Sequence, residues 1–524
     1  MDDMGRSFLV AAALAATVLG AGSAQATLDP SAAPSAAAPL AAALATEQSA
    51  QRTLLAKAEA ELVDSDFVQA AGDFGTLVHS TNFDLLGADE RHRAYLGWGQ
   101  AQLRAGDAKA AQGALRQASG FDKADQSDWM ALMIASTSAH DQSEAITDLQ
   151  TLARRWPSAL SSLDDRFIGN LIDQTWYLPN GESRFVGLML ALEDANWRQQ
   201  DKFGDPSDDW VSYARALISR GEIVHAQRIA GRVTAPWSLI RMQSDKDFDV
   251  VVHADPDRYD VKRALARELD RYTTLAHEQS DKLKGVNALG YVLMEQNRAA
   301  DALPLFDEAL AKIRASGVKP GPYSDVDDQK DWLLNIRAWT LIQLGRTDEG
   351  LKEMIKSAKP ESGEPQISQV LNLAVVYDSL GRPRDALNIL DDAPVSRAST
   401  FGVRVAEHAR ICALAQLNDQ LALSKEMTQA KLRLAAVGVR LSASDYLCSN
   451  DLDAAAAEDM KSLESPVARS DFLRSVQEYA GSIFEVGPWA NEIRRRQREV
   501  LALPKVNALL SKYGRVTHYN MLTH

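Results

Sequence analysis

Residues 284–311 read KGVNALGYVLMEQNRAADALPLFDEALA. The stretch holds two apolar stripes at helical spacing. Val286, Leu289, Gly290 and Leu293 form the first; Ala302, Leu303, Phe306, Ala309 and Leu310 form the second. Asn297 stands between them, and asparagine tolerates the left-handed conformation that ends a helix. The pattern predicts two antiparallel helices joined by a tight turn. Gly290, Ala302 and Ala309 lack bulk, so the two backbones can approach, while Leu289 and Phe306 fill the space between them.

The same alternation extends in both directions. Toward the N-terminus, Leu54–Leu62 pairs with Phe67–Val78, and Tyr95–Leu103 pairs with Ala108–Ala118 across Ala105-Gly106-Asp107. In the latter pair Trp98-Gly99 stands where Leu289-Gly290 stands, and Ala111 and Leu115 where Ala302 and Phe306 stand. Trp129–Ser136 pairs with Ser143–Arg154, closed by Trp156-Pro157, and Trp210–Ile218 pairs with Val224–Val233 across Gly221. Residues 160–280 are otherwise less regular. Toward the C-terminus, pairs follow around Gly345, Gly381 and Asn418, with a weaker one around Asn450 in residues 439–464. The turn positions Asn297, Gly345, Gly381 and Asn418 are 48, 36 and 37 apart. The first gap contains an insertion loop near residues 316–331, rich in Pro, Gly and Asp.

Over about residues 50–465 this pattern resembles the tetratricopeptide repeat, whose period is about 34 residues. There are departures: Leu293 stands where the family favours an aromatic, Arg337 where the preceding unit has Leu289, and Gly350 where it has an alanine. The resemblance implies an all-α solenoid of antiparallel helix pairs, wound as a right-handed superhelix. Residues 47–280 would be divergent repeats, 281–465 the better-matched ones, and 466–524 a helical segment capping the open end. In this family the first helices line a concave groove that holds a protein or peptide, without a cofactor. The residues so placed are Asn287, Tyr291 and Met294, then Trp332, Asn335 and Trp339, then Leu371, Val375 and Asp378. If the groove is open, Trp332 and Trp339 are partly exposed and anchor the partner. Otherwise their rings pack between units or under the insertion loop.

The N-terminus reads as a targeting segment. Arg6 precedes the apolar run Phe8–Leu19, and Ala24-Gln25-Ala26 is a small-x-small site, so residues 1–26 read as a signal peptide cleaved after Ala26. Asp2 and Asp3 suit such a leader poorly, which leaves Met4 as an alternative start to Met1. Residues 27–46, rich in Ala and Pro, read as a flexible leader. No later stretch is long and apolar enough to span a membrane, so the expected location is periplasmic or secreted, with no direct membrane insertion. The 524 residues are 46% hydrophobic and 24% charged, with a net charge of −14, which argues against nucleic acid as a partner.

Several clusters have both a functional and an ordinary reading. Arg494, Arg495, Arg496 and Arg498 fit an anionic partner less well than a solvated helix face balanced by carboxylates. Asp325, Asp327, Asp328 and Asp331 lack the glycine and terminal glutamate of a calcium loop. Cys412 sits on an apolar helix face as a small core residue would, although it could pair with Cys448 in an oxidising compartment. The histidines, serines and glycines show no zinc, nucleophile-elbow or phosphate-loop spacing. The expectation is therefore a binding scaffold with no catalytic, cofactor or metal residues. The alternatives are an envelope enzyme cleaving cell-wall glycan, for which only Glu478, Glu485, Glu492 and Glu499 are available after the repeats, and an accessory component of polysaccharide or outer-membrane assembly.

Overall fold

A computed structural model describes residues 37–316, 321–358, 366–436 and 438–523. The expected signal peptide and the first ten residues of the expected leader lie outside them. The chain forms two compact units that divide between Gln200 and Asp201, whereas the sequence pattern sharpens only after residue 280.

The first unit is four antiparallel helix pairs: Ala37–Val63 with Phe67–Val78, Ala88–Ala105 with Ala108–Ser119, Gln126–Ser138 with Gln142–Arg155, and Asp165–Thr175 with Gly181–Asp194. The leader was expected to stay irregular up to residue 46, yet the first helix begins at Ala37. Its early residues are mostly Ala and Leu, which favour helix, and Pro39 falls in the first turn, where its missing N–H costs nothing. Three turns share one device. Ser65, Gly106 and His140 take positive φ. The next residue, Asp66, Asp107 or Asp141, then accepts a hydrogen bond from the amide three positions on, at Gln69, Ala110 and Glu144. These carboxylates satisfy donors that the start of a helix leaves unpaired.

The second unit continues with Ser207–Ser219 and Ile223–Ala230, then Pro236–Ser244 and the long helix Val261–Glu278. Five pairs follow. They are Leu283–Glu295 with Ala299–Ala315, Val326–Gln343 with Thr347–Ala358, Ile367–Ser379 with Pro383–Asp391, Thr400–Gln416 with Gln420–Ala436, and Ala443–Cys448 with Leu452–Glu464. Asn297, Gly345, Gly381, Asn418 and Asn450 all take positive φ at the turns, as expected from residues that bear it at little cost. The insertion is shorter than expected, because residues 326–331 are already helical. Asp327 and Asp328 stand in that helix's first turn, where negative charge is favourable. The carboxylate of Asp325 accepts the amides of Leu283 and Lys284 at 2.6 and 3.1 Å. It thus caps a neighbouring helix, an ordinary role for part of the acidic cluster.

Close packing of the pairs follows the small residues. A Cβ on Gly290 would lie 2.1 Å from Cζ of Phe306, and one on Gly99 would lie 2.4 Å from Cγ of Leu115. The matched positions in the two units therefore make the same contact. Gly290→Leu is expected to cost about 1–3 kcal/mol, because the helices must separate to admit it. Gly113, exposed in the helix Ala108–Ser119, has nothing near its would-be Cβ, and Gly113→Ala should stabilise by about 0.5–1 kcal/mol through helix propensity. Urea denaturation of both variants followed by circular dichroism checks the pair; equal effects would sink the packing argument.

The C-terminal segment departs most from expectation. Residues 466–524 were expected to be helical, but the first helix spans only Arg469–Ser475, and Glu478–Ser482 is a strand. That strand pairs in parallel with His518–Thr523, with a register shift between Tyr479 and Gly481. Between the strands lie Pro488–Ala502 and Pro504–Tyr513. Val500, Val506 and Leu510 pack with Leu447, Ala455 and Leu463, so the two helices do cap the last pair. The rest of the segment folds back to the start of the same unit. Arg469 pairs with Asp247, Arg241 with Asp471, and Arg515 with Asp249, at 2.6, 3.1 and 2.8 Å.

Candidate functional site

The candidate site is the expected groove face of the second unit's repeats, on the helices Leu283–Glu295, Val326–Gln343 and Ile367–Ser379. The expected groove residues lie together on these helices. Trp332, Tyr291 and Val375 are part-exposed, while Asn287, Met294, Asn335, Trp339, Leu371 and Asp378 are buried. Of the two readings of Trp339, the packed ring is the one the structure has: the residue is 2% exposed. The cover is the chain's own segment after the first strand. Phe484 meets the Trp339 ring edge-on, centroids 4.8 Å apart. Ile483 is fully buried in the core that these repeats share, and Phe484 and Val486 pack against that core.

Polar contacts hold the same segment by its backbone. Gln343 Nε2 donates to the carbonyls of Ser482 and Ile483, and Ser379 Oγ donates to that of Val486 at 3.4 Å. Gly487 takes φ 146°, and a Cβ there would lie 2.3 Å from the Ser379 carbonyl oxygen. Glycine is required at this position both by the torsion and by the close approach. Farther along, Asn287 Nδ2 donates to the Gln329 carbonyl at 3.1 Å. Burial pushes the Asp378 carboxyl well above its usual range, opposed by a hydrogen bond from Gln416. Asn335 Oδ1 and Trp339 Nε1 have no hydrogen-bond partner among the described residues.

The other clusters resolve largely as ordinary structure. Arg495 and Arg496 pair with Glu492, and Arg496 also donates to the Leu447 and Cys448 carbonyls. Hydrogen bonds from Arg495 and Arg496 pull the Glu492 carboxyl down to about 2. A glycosidic general acid needs the opposite shift. Cys412 is buried as its apolar face implied, but it is also joined to Cys448 as a disulfide. His408 lies beside them. Burial works against its charge, yet the hydrogen bond and charge of Asp445 outweigh this and raise its pKa. This juxtaposition was missed because histidine was weighed against zinc spacings on histidine alone, whereas His408 and Cys412 are four apart on one helix.

A family model described as tetratricopeptide repeat matches residues 286–316, the pair in which Gly290 receives Phe306. The chain carries a tetratricopeptide repeat. The neighbouring pairs share its turn conformation, and they extend the repeat as an all-α stack of antiparallel helices. No curated protein matches the chain. Among solved structures, yeast Tom70 aligns over 88% of this chain and 99% of its own at 11% identity, with a TM-score of 0.29. That likeness is too loose to carry structure or function across. Among the described residues, no helix is long and apolar enough to cross a membrane.

Proposed function

We propose that the protein is an exported, non-catalytic scaffold that holds an extended polypeptide on the inner face of its C-terminal tetratricopeptide repeats, in the periplasm or outside the cell. One observation carries the binding reading. The inner face already seats a polypeptide, residues 482–487, through side chains that bind its backbone carbonyls and a core that takes Ile483. Backbone hydrogen bonds are indifferent to sequence, whereas the seats for Ile483, Phe484 and Val486 select apolar side chains. A partner of similar pattern fits the same face once the resident segment leaves it.

The test replaces Ile483 and Phe484 together by serine, which removes the segment's apolar seat, and titrates a labelled peptide EYAGSIFEVG, residues 478–487. Saturable binding to the variant and little to the parent is expected, weakened when Gln343→Ala is added. No saturable binding by a variant that keeps its helical circular dichroism would overturn the reading. Export is supported by the apolar run Phe8–Leu19 and the Ala24-Gln25-Ala26 site. N-terminal sequencing of protein from an envelope fraction should begin at Thr27; a chain retaining Met1 or Met4 in the soluble cytoplasm would refute it.

A further inference from the structure

We propose that His408, Cys412 and Cys448 form a zinc site when the disulfide between the two cysteines is reduced. The inference stands apart from peptide binding. His408 and Cys412 project from one face of the helix Thr400–Gln416, and Cys448 ends the helix Ala443–Cys448. One ligand atom from each lies within 4.8 Å of the others. The distance from His408 Nε2 to Cys412 Sγ is 3.5 Å. Tetrahedral zinc, with bonds of about 2.0–2.1 Å to nitrogen and about 2.3 Å to sulfur, places such atoms about 3.5 Å apart.

The imidazole is held by a carboxylate. Its Nδ1 is 2.8 Å from a carboxylate oxygen of Asp445. With the proton held there, Nε2 keeps its lone pair for a metal, the carboxylate–histidine arrangement common behind metal ligands. Cys412 Sγ now lies beside the ring, 3.5 Å from Nε2 and 3.9 Å from Nδ1, so the ring or the thiolate must shift for Nε2 to bind. Asp445 is itself fixed by the amide of Ser442 at 2.7 Å. Two thiolates neutralise the dication, so the buried cysteines would enclose no net charge. Three protein ligands leave the fourth position to water.

The disulfide and the metal exclude each other, because bonded sulfurs cannot take separate positions around one ion. A dithiol supplies two electrons and two protons to the disulfide and closes to its own disulfide, whereas a phosphine supplies the two electrons and takes the oxygen of one water as phosphine oxide, that water giving the two thiol protons. Each thiol then gives up its proton as the metal binds. A disulfide oxidant that exchanges with the thiolates takes up the two electrons, leaves as its own two thiols, re-forms the Cys412–Cys448 bond and so releases the metal. The pair would thus read both the thiol redox state and zinc.

The test uses the full chain, reduced with a phosphine and confirmed by thiol titration to carry two free thiols. Cobalt(II) is then added as a spectroscopic substitute for zinc. One equivalent should give a thiolate-to-cobalt charge-transfer band and the visible bands of tetrahedral cobalt, both abolished by one equivalent of zinc. The oxidised chain should give neither. Cys448→Ser should remove the charge-transfer intensity of one thiolate, His408→Gln, which keeps the side-chain volume, should weaken binding, and Asp445→Asn should weaken it about 10–100-fold. Absence of the charge-transfer band in the reduced chain, or its persistence unchanged in folded His408→Gln, would overturn the proposal.

Discussion

Replacing Trp339 with alanine is expected to lower the stability of the C-terminal unit by about 3–5 kcal/mol, the usual cost of emptying a large aromatic from a core. The residue is 2% exposed, belongs to the same buried cluster as Leu333, Ala338 and Ile342, and meets Phe484 edge-on. Few atoms can collapse into the space it leaves, since helices fix one wall and the held backbone of residues 482–487 fixes the other. Part of the loss belongs to Phe484. Edge-on aromatic pairs contribute about 0.5–1.5 kcal/mol beyond their buried area, so the double variant Trp339→Ala, Phe484→Ala should cost less than the sum of the single changes by about that amount. Urea denaturation of the four proteins measures it. A Trp339→Ala variant as stable as the parent would show the ring to be a surface anchor after all. Strict additivity would show that Phe484 does not cover it.

The contrast between Trp339 and Gly290 shows what the sequence made legible. Gly290, Asn297 and Phe306 lie within one helix pair, so their spacing alone predicts the turn and the close approach, and the structure has both. The same local logic reached Gly99 with Leu115 and every turn at Gly345, Gly381 and Asn418. Trp339 could be placed on its helix, but not its cover. That depends on Phe484, which follows several intervening helix pairs and belongs to no repeat. The strand Glu478–Ser482 was missed for the same reason: EYAGS is too short for alternation to register, and its partner His518–Thr523 lies beyond two more helices. Asp325 was read as a member of an acidic cluster because its role, capping a helix that starts at Leu283, is set by tertiary contact. Periodicity reports elements that bury their own faces against sequence neighbours, and it is silent on segments that return from a distance.

Asp148 leads to a second large effect, one that no motif announces. It lies on the helix Gln142–Arg155 in the N-terminal unit, 1% exposed, and accepts a hydrogen bond from Ser136 Oγ at 2.8 Å. Its other oxygen has no partner among the described residues. Burial pushes the carboxyl up from 3.8 to about 7, with the Ser136 hydrogen bond opposing and Glu144 adding to the rise. The folded state therefore holds a proton between about pH 4 and pH 7 that the unfolded chain has released. Stability must fall as pH rises through this window, because the unfolded state binds fewer protons there. A rise of about three units corresponds to a loss of about 4 kcal/mol by pH 8, as the charged form becomes fully populated in a site that cannot solvate it. Asp148→Asn keeps the shape and the acceptor for Ser136 but cannot ionise. The variant should match the parent near pH 4 and exceed it by up to that amount at pH 8. Urea denaturation at pH 4, 6 and 8 decides the matter: parallel stability curves for parent and variant would mean that Asp148 is already ionised in the folded protein and that its environment compensates the charge.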